Sequence, residues 1–177
     1  MLMGNKSLSK FIGTAIIFGF AVMYTVAYAQ VPPPPPPPPK PPTPPTLTVF
    51  FNFESADVPA EAGGVLKEAA TLASDVKQVA LIYRKSLQIH GDKNAVHETQ
   101  VSVSIVGNCD TAEEKPSELS LARARAVSRA LANTGALKGI TVKAVGAGAT
   151  RPLVATPANT REPKNRSVLI TFALSGQ

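Results

Sequence analysis

Twelve prolines fall within the fourteen positions from Pro32 to Pro45, eight of them consecutive, and this run divides the 177-residue chain. Proline fixes φ and has no backbone donor, so such a run joins neither a helix interior nor a central strand and adopts polyproline II. At about 3.1 Å per residue it spans roughly 43 Å. Residues 30–45 therefore read as a stiff spacer, with a ligand for a proline-recognition module as the alternative. Before it lies a short apolar leader, residues 1–29. After it, residues 46–177 are long enough for one domain and too short for two.

The leader begins with Lys6 and Lys10, without acidic residues, and continues as the uncharged run Phe11 to Ala29. It ends in Ala27-Tyr28-Ala29, small residues in an A-x-A pattern, which predicts a bacterial export signal cleaved after Ala29. The alternative is an uncleaved membrane anchor, because the run would rise about 28 Å as a helix, nearly a bilayer core. Either way the positive start stays cytoplasmic and the remainder is delivered across the membrane. The predicted location is the periplasm or cell envelope of a Gram-negative bacterium, with membrane contact only through residues 11–29 if they are retained.

Composition narrows the chemistry. The chain has no tryptophan, two histidines and one cysteine, which argues against a disulfide scaffold, a metal cluster or a large cofactor enzyme. His90 and His97 sit at a spacing no zinc motif uses, and Cys109 has neither histidine nearby. No Ser-His-Asp, Cys-His or paired-carboxylate arrangement can be assembled, so the reading is a non-enzyme without metal or cofactor. Cleavage removes Lys6 and Lys10 and lowers the formal charge from +6 to +4. That mild basicity comes without an aromatic stacking platform, so nucleic acid is not an expected partner.

Beyond the spacer, Leu47, Val49, Phe51 and Phe53 alternate with Thr48, Phe50 and Asn52, the period of a half-buried strand. Val65, Ala69, Leu72, Val76, Val79 and Tyr83 recur at helical intervals and predict a long amphipathic helix beginning after Pro59. Gln88 to Gln100 reads as a polar loop. Val101, Val103 and Ile105 make a second strand, ending at Gly107. A second helix is expected from Ser117 as N-cap, with Leu119, Ala122, Ala126 and Ala130 on one face and Val127 and Leu131 beside it. Ile140, Val142 and Ala144 give a third strand running into the tight Gly146-Ala147-Gly148 turn, and Val168, Ile170 and Phe172 a fourth. The order β-α-β-α-β-β contains two crossovers and predicts an α/β (α+β sandwich) domain, a small mixed sheet with helices on one face.

Three segments, in order, resemble the OmpA-like C-terminal (peptidoglycan-associated) domain family. Val49-Phe50-Phe51-Asn52-Phe53 is similar to its opening aromatic strand. Gly107-Asn108-Cys109-Asp110, followed by Leu119-Ser120-Leu121-Ala122-Arg123-Ala124 and Val127, is similar to Gly-x-Thr-Asp and L-S-x-x-R-A-x-x-V. Gly146-x-Gly148 with Pro152, then Asn165-Arg166-Ser167-Val168, is similar to its closing segment. The chain departs from the pattern at Cys109, Pro116 and Ser167, and the loop between Asp110 and Arg123 is about two residues short.

On the residues alone, Asp110 reads as a turn residue and Arg123 as part of a solvated helix face. The resemblance implies a different role. It implies a pocket for the diaminopimelate of the peptidoglycan stem peptide, with Asp110 accepting from the ligand's ammonium and Arg123 forking onto its carboxylate. It places Asn52 and Phe53 in the pocket floor and Arg166 on its rim. The function so implied is non-catalytic tethering of an envelope component to peptidoglycan. The alternative is a structural subunit of an envelope secretion or conjugation complex that uses the fold for protein contacts, which makes envelope protein subunits further candidate partners. A proton-conducting stator subunit is disfavoured, because Phe11 to Ala29 carries no acid.

Overall fold

The computed structural model describes residue 36 and residues 43–91 and 99–175. The leader, most of the proline spacer and His97 lie outside the described residues. The elements in chain order are β1 (Leu47–Phe50), a 3-10 turn (Ala60–Ala62), α1 (Gly63–Ile89), β2 (Gln100–Gly107), α2 (Pro116–Asn133), β3 (Thr141–Gly146), a second 3-10 turn (Pro163–Asn165) and β4 (Ser167–Ser175). No helix among the described residues is long and apolar enough to cross a membrane.

Among the described residues the strands form one four-stranded sheet in the order β1-β4-β2-β3. β4 is antiparallel to both β1 and β2, and β2 is parallel to β3. β1 and β2 therefore run the same way with β4 inserted between them, so each α-helix belongs to a crossover. Pairing sets rows of inward side chains: Leu47, Ile170, Ile105 and Ala144 lie abreast, and Phe172 lies opposite Val103. Val103, Ile105, Ile170 and Phe172 are essentially removed from solvent, each worth about 1.5–3 kcal/mol of apolar transfer. The other face of the sheet carries Ser102, Ser104 and half-exposed Phe50. The predicted α/β architecture and its one-sided helical cover are what the chain adopts.

Both helices turn a somewhat different face inward from the predicted one. α1 buries Ala69, Ala73, Val76, Ala80 and Leu87, whereas Val79 is 36% exposed and Leu72 and Tyr83 are half-buried. Alanines let the helix axis approach the sheet, and the larger apolar residues are displaced to its flanks. α1 also runs through Gln88 and Ile89, shortening the predicted loop. α2 buries Ser120, Arg123, Ala124, Val127 and Leu131, leaving Leu119, Ala122, Ala126 and Ala130 half-buried. Ser117 is not the N-cap: the helix starts at Pro116, whose missing donor costs nothing at a first position, after Lys115 in the left-handed region (φ 45°, ψ 51°).

The row Val49, Val168, Gly107 and Gly146 explains where α2 sits. A Cβ at Gly107 would lie 1.9 Å from the Ser120 carbonyl oxygen, and one at Gly146 would lie 2.5 Å from Ser120 Oγ and 2.6 Å from Leu121 N. Two strand ends without side chains thus admit the first turns of α2 directly onto the sheet. Ser120 Oγ fastens the contact, accepting from Gly148 N at 2.9 Å and donating to Ser117 O at 3.1 Å. This seating aims Arg123, about one helical turn beyond Ser120, at the segments that follow β1 and β2.

Candidate functional site

Beyond the ends of β1 and β2, the carbonyls of Asn52, Ser55 and Asn108 converge on Arg123. Its Nε donates to Ser55 O (2.8 Å), Nη1 to Asn108 O (3.0 Å) and Nη2 to Asn52 O (2.9 Å). Nη1 also lies 3.4 Å from Cys109 Sγ, and the guanidinium carbon sits 5.4 Å from the Phe51 ring centre. The side chain has no exposed surface.

The charge of Arg123 is met by Glu113, which is equally inaccessible. Glu113 Oε1 accepts from Nη2 at 2.5 Å and Oε2 from Nη1 at 2.9 Å, the parallel fork that guanidinium and carboxylate geometry favours. The same carboxylate accepts from Glu54 N (2.9 Å) and Asp110 N (3.1 Å). Four donors therefore converge on one carboxylate.

Asp110 is also fully buried. Its Oδ1 accepts from Ala112 N (3.1 Å), and its Oδ2 from Glu162 N (3.2 Å) and Arg166 Nη1 (3.0 Å). Arg166 spends Nε on Phe51 O at 3.2 Å, which places it beside β1 with 12% of its side chain exposed. Two carboxylates and two guanidiniums thus form a neutral cluster, the arrangement that lets buried charges persist. Phe53 is half-buried under Arg161, whose guanidinium carbon is 3.9 Å from the ring centre, and Arg166 lies 5.9 Å from the same centre. Asn52 contributes its backbone carbonyl; its side chain is at the exposed surface.

The long segment before β4 closes this corner. Asn165, buried in the second 3-10 turn, accepts from Val154 N and donates to Val154 O, both at 2.8 Å. Thr111 Oγ1 donates to Pro157 O at 2.7 Å and accepts from Thr160 N at 3.0 Å. Two clefts open nearby. One, about 500 Å³, is bounded by Phe51, Asn52, Pro163 and Arg166; the other, about 380 Å³, by Glu54, Lys115, Glu118 and Leu119.

Cys109 is buried beneath α2 and donates its thiol to Pro116 O at 3.3 Å. Burial pushes its pKa up from 9.0 to about 12, the nearby Arg123 charge opposing that rise and Glu113 adding to it. The thiol is therefore protonated and serves as packing. His90 is exposed at the end of α1, its Nδ1 2.7 Å from Ser86 O. Among the described residues no group of His, Cys, Asp and Glu is placed to hold a metal ion.

The structure brings Asp110, Arg123, Arg166, Phe53 and the Asn52 backbone around one cluster. It also places Glu113 at its centre, a residue that sequence reasoning passed over. The available signal was an acidic residue in the short stretch between Asp110 and Arg123.

A fold of this topology, with an aspartate just after β2 and a buried arginine about two turns into the following helix, defines an OmpA-like domain. The OmpA family model matches residues 50–166, and the chain belongs to that family. Among solved structures, the chain is similar to the peptidoglycan-associated lipoprotein from Burkholderia pseudomallei, at 21% identity and TM-score 0.52, over 72% of this chain and 90% of that one. It is also similar to the periplasmic domain of Helicobacter pylori MotB (17% identity, TM-score 0.45, 72% and 74% covered). A third is the cell wall anchor of the T6SS from Pseudomonas aeruginosa (23% identity, TM-score 0.44, 71% and 78% covered). No curated protein matches the sequence.

Proposed function

We propose that this domain binds peptidoglycan without catalysis and tethers an envelope component to the cell wall from the periplasm of a Gram-negative bacterium. The ligand group is diaminopimelate, whose side-chain end carries an ammonium and a carboxylate on one carbon. The observation that carries the reading is the four-charge cluster. It gathers an anionic acceptor, Asp110, here paired with Arg166, and a bidentate donor, Arg123, here paired with Glu113, in one corner beside Phe53. An ammonium suits Asp110 and a carboxylate suits the guanidinium fork, which lysine reproduces poorly. Asn52 and Phe53 form the adjoining floor. The proline spacer supplies reach between the attachment point of the leader and the wall.

The test is co-sedimentation of the intact protein with purified diaminopimelate-type sacculi, comparing wild type with Asp110→Asn and Arg123→Lys variants whose folding is verified by circular dichroism. Wild type pellets and both variants stay in solution if the reading holds. Wild type and a Glu113→Ala variant, in which the Arg123 fork is vacated, both remaining in the supernatant overturns it.

One observation favours a second reading, a structural subunit that uses the fold for contacts with envelope proteins. Asp110 and Arg123 are both inaccessible and fully partnered within the chain. Crosslinking in the native envelope discriminates the two, returning protein adducts in one case and muropeptide adducts in the other.

A further inference from the structure

We propose that Glu113 is an intramolecular stand-in for the ligand's carboxylate, so that the wall-binding site is closed by the chain itself and opens by exchange of one carboxylate for another. The inference rests on the peptidoglycan reading above and adds a residue that sets the affinity of that site.

The argument starts from the donors. Nη1 and Nη2 of Arg123 and the backbone N–H groups of Glu54 and Asp110 all point at one carboxylate. Such a cradle recognises any carboxylate, whichever chain supplies it. The acid that fills it comes from the loop directly after Asp110, the residue assigned to the ammonium. Asp110 is likewise held by an internal cation, Arg166. The two ion pairs thus reproduce, within the protein, both contacts that a carbon bearing an ammonium and a carboxylate would make.

The loop bearing Glu113 is built to be displaced as a short unit. Thr111 is fastened to Pro157 and Thr160 on one side. On the other, Lys115 holds a left-handed conformation (φ 45°) that L side chains rarely adopt. Glu54, whose backbone N–H helps hold Glu113, is itself left-handed (φ 50°), and its Oε1 accepts from Glu114 N at 2.5 Å. Glu54 and Lys115 both border the 380 Å³ cleft, which gives solvent a path to the loop. A competing internal carboxylate lowers the apparent affinity for an external one by the fraction of molecules in which the cradle is vacant.

The experiment uses the intact protein, its Glu113→Ala and Glu113→Gln variants, and two probes, meso-diaminopimelate and acetate. Thermal unfolding is followed with and without each probe, and sedimentation with sacculi is measured in parallel. Glu113→Ala is expected to bind meso-diaminopimelate about tenfold more tightly than wild type, or more. Its Tm is expected to rise with either carboxylate, while that of wild type barely moves. If the alanine variant folds only when a carboxylate is supplied, the inference is supported. Glu113→Gln keeps the shape without the charge and is expected to fall between the two. A Tm of Glu113→Ala indifferent to both probes overturns the inference, as does wild type binding the ligand and sacculi as tightly as the variant. The second outcome leaves peptidoglycan binding standing. Acetate rescue of the variant, with neither protein sedimenting with sacculi, supports the stand-in role and removes the peptidoglycan reading.

Discussion

Glu113 forks onto Arg123 in the interior of the domain, Oε1 to Nη2 at 2.5 Å and Oε2 to Nη1 at 2.9 Å, with neither side chain exposed. Removing one partner of such a pair leaves an uncompensated buried charge, whereas removing both does not. Glu113→Ala is therefore expected to cost roughly 3–5 kcal/mol in urea unfolding without added carboxylate. Arg123→Met costs more, because the carbonyls of Ser55 and Asn108 also lose the guanidinium donor and that of Asn52 keeps only Ser55 N, at 3.3 Å. The double variant Glu113→Leu/Arg123→Met should lose less than the sum of the two single changes. Strict additivity would show that the pair is not coupled.

The contact between α2 and the sheet predicts opposite outcomes for two glycine-to-alanine changes. Gly107→Ala drives a methyl group into the Ser120 carbonyl, 1.9 Å from its ideal position. It should destabilise by about 1–3 kcal/mol or more and displace α2. Gly64→Ala, in the first turn of α1 with nothing within 4 Å of the new atom, should stabilise by about 0.4–1 kcal/mol by restricting the unfolded chain. Chemical denaturation of both variants checks the pair.

Cys109 makes stability depend on alkaline pH. Its folded pKa, about 12, lies above the 9.0 of the free thiol, so the folded state favours the protonated form. The contribution is complete below pH 9.0 and is lost progressively between 9.0 and about 12, at a slope approaching about 1.4 kcal/mol per pH unit. Cys109→Thr should flatten that part of a urea-denaturation pH profile. In the native protein near neutral pH the thiol should resist iodoacetamide and react after unfolding.

Asn165 holds the segment before β4 through its two contacts with Val154. Asn165→Ala orphans both Val154 backbone groups and should cost about 1–3 kcal/mol. Limited trypsin digestion should then cut faster at Arg161 and Lys164, both exposed in this segment. Unchanged digestion would show that Thr111 and its partners suffice to hold it.

How far the sequence reads through to the structure differs by element. β2 and β4 follow directly from alternation, since a period of two places Val103, Ile105, Ile170 and Phe172 on one face whatever covers it. The helices were legible in position and less so in orientation. Sequence periodicity weights Leu72, Val79 and Tyr83 by size, while packing selected Ala69, Ala73 and Ala80, because small residues allow the helix to approach the sheet more closely. The motif residues Asp110, Arg123 and Arg166 were legible through resemblance; the pairing of Asp110 with Arg166 and the presence of Glu113 on Arg123 were not.

The sequence by itself determined the order of strands and helices and the family. These depend on periodicity and on short motifs, both of which act over neighbouring residues. Tertiary structure alone decided that Arg123 is buried and that its fork is filled by Glu113. It also decided that Asp110 is paired with Arg166. The burial of Arg123 and the pairing of Asp110 depend on segments meeting across more than fifty residues of chain, and all three outcomes depend on desolvation, which obliges every buried charge to find a counter-charge wherever the fold brings one within reach.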